Sequence, residues 1–188
     1  MAMLCHTEYA AQKKELLENS LLQLMSRQQY RDITVTDICR EAGVPRRTFY
    51  HYFEGKEDAL ESMIESLMQK CFLIATLDFR HDPLQMRDNF LRIFRYWEGE
   101  NRRKLNILIQ SGLESQLMNW ATRWMREERI ARLLESNLEP KFAEIILMIG
   151  TTDFFALLFH WSRGGYRETP EKMADYAVAI MPQALARL

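Results

Sequence analysis

Residues 33–53 read ITVTDICREAGVPRRTFYHYF, and positions 46–52 hold Arg46, Arg47, Thr48, Phe49, Tyr50, His51 and Tyr52. Side chains of these types suit recognition of nucleic acid better than catalysis. Either guanidinium can grip the O6/N7 edge of a guanine through a bidentate fork. The hydroxyls of Thr48, Tyr50 and Tyr52 can donate to phosphate oxygens. Lys56, three residues beyond Phe53, adds a cation at a helix start, where free backbone N–H groups already favour an anion. Phe49 and Phe53, four apart, point inward. Two exposed arginines and some tyrosines on a short helix also describe an ordinary solvated face, so the spacing of the supporting elements has to decide.

Those elements carry their own start and stop signals. Thr34 is a good N-cap, Asp37 can reach back to it as a shortened capping box, and Ile33 and Ile38 have the spacing of a hydrophobic staple. Gly43 suits a left-handed position just past the helix end. After Gly43-Val44 a second short helix runs from near Pro45 to near Phe53, with Val44 and Phe49 again at staple spacing. Helix, tight glycine-containing turn, helix is the helix-turn-helix unit, whose second helix enters the major groove of DNA. Ahead of it, residues 7–28 read as one helix with Leu17, Ser20, Leu21 and Leu24 on one face. Behind it, Glu54-Gly55 break the chain. Lys56 then opens a long helix running to about Leu77, with Leu60, Met63, Ile64, Leu67, Cys71 and Ile74 along its apolar side.

Past a breaker at His81-Asp82-Pro83, further helices are expected near 84–98, 102–111, 114–136, 140–163 and 170–181. Pro140 and Pro170 suit first helical positions, Thr169 caps the last helix, Gly164-Gly165 end the one before it, and Pro182 ends or kinks the last. The count is nine helices and no strand. The fold class is all-α: a helix-turn-helix domain over residues 1–58 and a larger helical domain over 59–188.

Composition agrees. Of 188 residues 47% are hydrophobic, while Gly (7) and Pro (5) are few, which fits a helical protein with a real core. The pI of about 6.4 is not that of a broadly basic nucleic-acid binder. Residues 1–60 contain eight Lys/Arg against nine Asp/Glu, so DNA binding must rest on a few placed cations. Three widely spaced cysteines, with no C-x-x-C, argue against a disulfide framework or zinc site and fit a reducing cytoplasm. No signal peptide is read at the N-terminus. FAEIILMIGTTDFFALLFHW, residues 142–161, is apolar enough to suggest a membrane span, but Glu144 and Asp153 would have to be buried in lipid. A long helix packed against a partner is expected instead. No catalytic or phosphate-loop motif is present, so no enzyme, metal or cofactor is expected.

ITVTDICREAGVPRRTFYHYFEGKEDAL, residues 33–60, resembles the DNA-binding domain of the TetR family of bacterial transcriptional regulators. The Thr-capped second helix, the Ala42-Gly43-Val44 turn, Thr48-Phe49-Tyr50, the Tyr52-Phe53 pair, and Lys56 with Leu60 carry the resemblance. It covers about residues 10–60. HWSRGGYRETPEKMA, residues 160–174, is more loosely similar to the end of one group of its C-terminal domains. By position, the resemblance implies that Thr34, Thr48, Tyr50, Tyr52 and Lys56 touch phosphates, that Arg46 and Arg47 read bases, that Thr36 reaches the groove from the second helix, and that His51 approaches the backbone. Pro45 departs from the pattern, since the family often has Ser there and Pro offers no side-chain acceptor as a cap.

The resemblance also implies a homodimer, with the last two helices of each protomer forming a four-helix interface. Ile145, Ile146, Ile149, Leu157, Trp161, Tyr176, Ala177 and Ile180 are the residues for it, with the monomer's own core as the competing role. Two reading heads about 34–36 Å apart would define a palindromic operator in double-stranded DNA. Family members commonly hold a small molecule between the fourth and eighth helices. Phe90, Phe94, Trp97, Trp120, Trp124, Phe154 and Phe155 are the candidates for an apolar or aromatic effector, with plain core as the competing role. His160 is read as an interface histidine, and His6 and His81 as exposed. The expected function is a sequence-specific regulator, foremost a repressor, whose effector would shift the fourth helix. The alternative is a dimeric helical sensor of a metabolite or partner protein, with DNA binding secondary or lost.

Overall fold

Local capping signals in the sequence correspond closely to the helix ends of the protein. The computed structural model describes residues 2–74, 83–134 and 139–180. Among them are nine α-helices and no strand: α1 (Ala2–Met25), α2 (Val35–Ala42), α3 (Arg46–Tyr52), α4 (Lys56–Ile74), α5 (Pro83–Glu98), α6 (Arg102–Gln110), α7 (Glu114–Leu134), α8 (Pro140–Arg163) and α9 (Pro170–Ile180). Two details differ from the sequence expectation. Helix α1 spans Ala2–Met25, so it starts and stops earlier than residues 7–28, and the polar link after it closes into one 3-10 turn, Tyr30–Asp32. The breaker at His81-Asp82, the kink at Pro182 and the far ends expected for the fourth, seventh and ninth helices lie outside the described residues.

The chain divides into two compact units, Met1–Leu67 and Met68–Leu188, with the division inside α4. The first unit is built on α1, α2 and α3 and the start of α4. Leu17 and Leu21 of α1, Ile38 of α2, Phe49 of α3 and Ala59 of α4 have no exposed surface, and Ile33 and Phe53 are nearly as buried. Burying each such large apolar side chain contributes roughly 1.5–3 kcal/mol. A polar pair also lies in this core, where the Ser62 hydroxyl donates to the buried carboxylate of Glu18 at 2.6 Å.

Helix α2 is only eight residues long, too short to hold itself. Both of its ends are fixed by side chain or backbone. Asp37 N donates to Thr34 Oγ1 at 3.2 Å, and Thr34 N donates to Asp37 Oδ2 at 3.0 Å, completing the capping box. Gly43 ends it at φ 64°, with Val44 N donating to Cys39 O at 3.0 Å. A Cβ built on Gly43 would meet nothing within 4 Å, so glycine is required there by the backbone angle and not by crowding.

In the second unit α5 packs on α9, α7 on α8, and α8 on α6 and α9. Arg87 and Arg95 of α5 reach Asp175 and Glu171 of α9 at 2.7 and 2.8 Å. The α8–α9 turn is tied down from several sides. Trp161 Nε1 donates to Glu168 O at 2.8 Å, and the Tyr166 hydroxyl donates to Asn106 Oδ1 at 2.8 Å. Tyr166 is held at φ 59°, a left-handed conformation uncommon for a residue with a Cβ, and the Arg102 guanidinium lies 4.3 Å from its ring centroid. Lys172 N donates to Thr169 Oγ1 at 3.3 Å, the cap expected at the start of α9. Cys39 and Cys71 are free, buried thiols, and burial pushes Cys71 up to about 12.

Candidate nucleic-acid interface

Helix α3 turns its apolar side inward and its donors outward. Phe49 is fully buried and Phe53 nearly so, with ring centroids 5.4 Å apart. Tyr50 is half exposed, and Arg46, Arg47 and His51 are exposed; Thr48 and Tyr52 sit partly buried at the edges of the face. Pro45 occupies the N-cap at φ −65° and ψ 150° and makes no side-chain cap bond, while Thr48 N still donates to Pro45 O at 2.9 Å. The ring already holds φ where the extended cap position needs it. The helix therefore starts at Arg46 without an acceptor side chain.

Arg46 does not hang free. Its guanidinium donates to the Tyr50 hydroxyl at 3.1 Å and lies 5.7 Å from the Tyr50 ring centroid. That hydrogen bond is the main reason its pKa is raised above the ordinary arginine value. The i, i+4 spacing of the two residues was the available sequence signal for this pair. Arg47, beside it, has no ion-pair partner among the described residues. Tyr52 meets His51 edge-on at 4.9 Å.

The other expected contacts are placed differently from one another. Thr36 is exposed on α2. Thr34 is exposed, but its hydroxyl is engaged, accepting from Asp37 N and donating to Asp37 Oδ2 at 2.6 Å. This bond, ahead of the Thr34 backbone N–H and the neighbouring Arg40, holds the Asp37 carboxyl below its ordinary range. Lys56 opens α4, yet its Nζ donates to three carbonyls, Tyr30 O, Arg31 O and Ile33 O, at 3.1, 3.0 and 2.9 Å. Nothing in the sequence pattern indicated that cage, because its partners lie 23–26 residues away.

Three helices, a capped turn and an outward face of arginines and hydroxyls define a helix-turn-helix domain of the DNA-binding type. Residues 20–63 match the family model for bacterial regulatory proteins of the tetR family. Over these residues the chain is similar to the DNA-binding domain of that family of transcriptional regulators. The HTH-type transcriptional regulator YxbF of Bacillus subtilis (strain 168) is 36% identical over 53 residues. That match covers 28% of this chain and 14% of YxbF, so this chain spans about one seventh of that relative. The whole fold is similar to a TetR transcriptional regulator from Streptococcus agalactiae 2603V, with TM-score 0.67, 21% identity, and coverage of 96% of this chain and 99% of that one. It is also similar to the dihydroxyacetone kinase operon activator DhaS, with TM-score 0.59, 18% identity, and coverage of 94% and 97%.

In the second unit the candidate effector aromatics form ring stacks. Phe90, Phe94, Trp97, Trp120 and Phe155 are buried, whereas Trp124 and Phe154 are partly exposed. Trp124 stacks on Phe72 at 4.4 Å, and Phe154 lies 6.0 and 5.8 Å from Phe90 and Phe94. A half-open cavity of about 170 Å³ lies elsewhere, between α7 and α8, lined by Thr122, Met125, Arg126, Glu144, Leu147 and Thr151 among others. The Thr151 hydroxyl is buried there without a hydrogen-bond partner among the described residues.

The residues named for a dimer interface divide by face. Ile145, Ile149, Tyr176 and Ile180 are exposed, Leu157 is intermediate, and Ile146, Trp161 and Ala177 are buried within the unit. Phe142 and Met148 add to the exposed apolar side of α8. By length and composition α8 could cross a membrane, with 35% of its most apolar window buried. Its packing on α6, α7 and α9, and Glu144 and Asp153 within it, fit a helix of a globular unit instead. His160 is exposed near its end, His6 lies in α1, and His81 is outside the described residues. Among the described residues no cluster of metal-ligating side chains occurs.

Proposed function

We propose that the protein is a homodimeric, cytoplasmic transcriptional repressor that reads an inverted-repeat operator with α3. The observation that carries this is the outward side of α3: Arg46 braced on Tyr50 and Arg47 without an acidic partner, on a helix fixed from beneath by Phe49 and Phe53. Arg46 and Arg47 read base edges, Thr36 reaches the groove from α2, and Thr48, Tyr50, Tyr52 and His51 take the sugar–phosphate backbone. The engaged hydroxyl of Thr34 serves α2 first.

Dimerisation uses the apolar side of α8 and α9. Phe142, Ile145 and Ile149 fall at i, i+3 and i+7 on α8, and Tyr176 and Ile180 at i, i+4 on α9, all of them exposed in the single chain. Exposed apolar side chains in such helical rows favour a protein partner, and a second copy supplies the same rows. An effector in this scheme occupies the α7–α8 cavity, where the Thr151 hydroxyl lacks a partner among the described residues, and leaves the ring stacks intact.

Selection of bound fragments from genomic DNA tests the proposal. A symmetric site recovered by the wild-type chain, and lost to the Arg46→Ala/Arg47→Ala double variant that still dimerises, is the expected result. A double variant that binds the same site undiminished refutes the reading role. Absence of any selected site favours a dimeric sensor with DNA binding lost, in keeping with the near-neutral first sixty residues.

A further inference from the structure

The ammonium of Lys56 sits in a tripod of main-chain carbonyls. Tyr30 O, Arg31 O and Ile33 O accept from Nζ at 3.1, 3.0 and 2.9 Å, and the Tyr30 ring lies 4.8 Å below the charge. A lysine ammonium has three N–H donors. All three are therefore engaged, and a phosphate oxygen could be bound only by giving up a carbonyl. The resemblance assigns Lys56 to the DNA backbone, but the geometry points elsewhere.

The three carbonyls belong to the segment that leads into α2. Tyr30 and Arg31 lie in the 3-10 turn, and Ile33 is a buried residue immediately before the Thr34 cap. Three carbonyls converging on one side would repel one another without a cation between them. The Lys56 ammonium removes that repulsion and fixes the path of residues 30–33, so the direction in which α2 departs is set from the first turn of α4. Helix α2 in turn packs on α3.

We infer that Lys56 is a positioning residue of the DNA-binding domain: its ammonium clamps the 30–33 segment to α4, holds the α2–α3 pair at a fixed setting, and makes no phosphate contact. The positioning half rests on the DNA-binding function proposed above, while the clamp itself does not depend on it.

The test uses the full chain with Lys56→Gln and Lys56→Arg, a mixed-sequence DNA duplex and the selected genomic fragment as probes, well below the melting temperature. Each phosphate neutralised by a cation adds about 0.9 to the slope of log K against log salt. For Lys56→Gln the expected result is weaker binding of the selected fragment by about tenfold at every salt concentration, with the slope unchanged for both probes. Lys56→Arg keeps the charge, but a planar fork cannot aim three donors at converging carbonyls, so it too binds weakly. Amide exchange in residues 30–38 of both free variants rises.

A slope lowered by about 0.9 per protomer in Lys56→Gln and restored in Lys56→Arg overturns the inference and returns Lys56 to the phosphate backbone. Affinity and slope both unchanged, with faster exchange, reduce it to a purely structural clamp and overturn the positioning role. If the wild-type chain binds neither DNA, the proposed function fails instead. The exchange measurement then still decides the clamp, and unchanged protection over 30–38 overturns it.

Discussion

Replacing Thr34 with Ala removes the side-chain half of the α2 cap and leaves the rest. The backbone N–H of residue 34 can still donate to Asp37, as it does at 3.0 Å, but Asp37 N loses its acceptor at 3.2 Å and Asp37 Oδ2 loses its shortest donor at 2.6 Å. A capping hydroxyl contributes about 1 kcal/mol, within a range of roughly 0.5–2. For a chain of this size that lowers the Tm by about 2–4 °C. The amides of Val35, Thr36 and Asp37 should exchange faster, since an eight-residue helix has little of its own to hold its first turn.

The same substitution has a pH signature whose sign follows from Asp37. Its carboxyl is held below the ordinary value of 3.8, first by the Thr34 hydroxyl and then by the Thr34 backbone N–H. A carboxyl with a depressed folded pKa adds stability that is present above the unfolded value and lost as pH falls through the folded one. Thr34→Ala removes the leading cause, so Asp37 moves back up. The Tm difference between wild type and variant should be largest at neutral pH and shrink as pH drops below about 4. Thermal melts from neutral pH down to about pH 3 measure it. A difference that stays constant over that range, or no difference at any pH, would refute the claim that hydroxyl and carboxylate work as one cap.

Gly43→Ala should cost about 1–2 kcal/mol through its left-handed backbone alone, since a Cβ there meets no atom within 4 Å; Gly43→Asn should cost less, and equal melting of both variants would contradict this. Phe49→Ala removes a fully buried ring from under α3 and should destabilise by about 3–5 kcal/mol, read by denaturant unfolding. Ile145→Asp with Ile149→Asp puts two charges on the exposed side of α8 and should leave a folded monomer by light scattering; a persistent dimer rules out that face. Tyr50→Phe keeps the ring beside Arg46 but removes the 3.1 Å hydrogen bond, and, on the reading role proposed for Arg46, should widen base preference at one position of each half-site, measured by fragment selection.

How much of this was visible in the sequence depended on the range of each interaction. The Thr34–Asp37 box, the Gly43 turn and the inward Phe49–Phe53 pair are contained within four residues, so type and spacing were enough. Helix α1 starts earlier than its apolar stripe suggested because its first turn, Ala2-Met3-Leu4-Cys5, is a continuous apolar run with no helical periodicity to read. The aromatics of the second unit were recognisable as buried rings, but not as closed stacks, because stacking partners such as Phe72 and Trp124 come from distant helices. The Lys56 cage was hidden for the same reason, made worse by its acceptors being main-chain carbonyls, which leave no trace in residue type.

Range also explains why a near-neutral first sixty residues do not weaken the DNA-binding face. Acid and base there cancel in the total, but the structure sorts them by partner. Arg27 pairs with Glu41 at 2.8 Å, Arg40 with Asp37 at 2.9 Å, and Lys56 with carbonyls, whereas Arg46 and Arg47 face outward with no carboxylate partner among the described residues. In the proposed dimer four guanidinium groups would face DNA, and the neutral hydroxyls of Thr48, Tyr50 and Tyr52 would displace no counterions. At about 0.9 per cation, log K should fall with log salt no more steeply than a slope of about −4. Titration of the selected fragment across salt concentrations measures it. A slope near −6 or steeper would mean that further cations reach phosphates, and that α3 is part of a broad basic face instead of carrying a few aimed contacts.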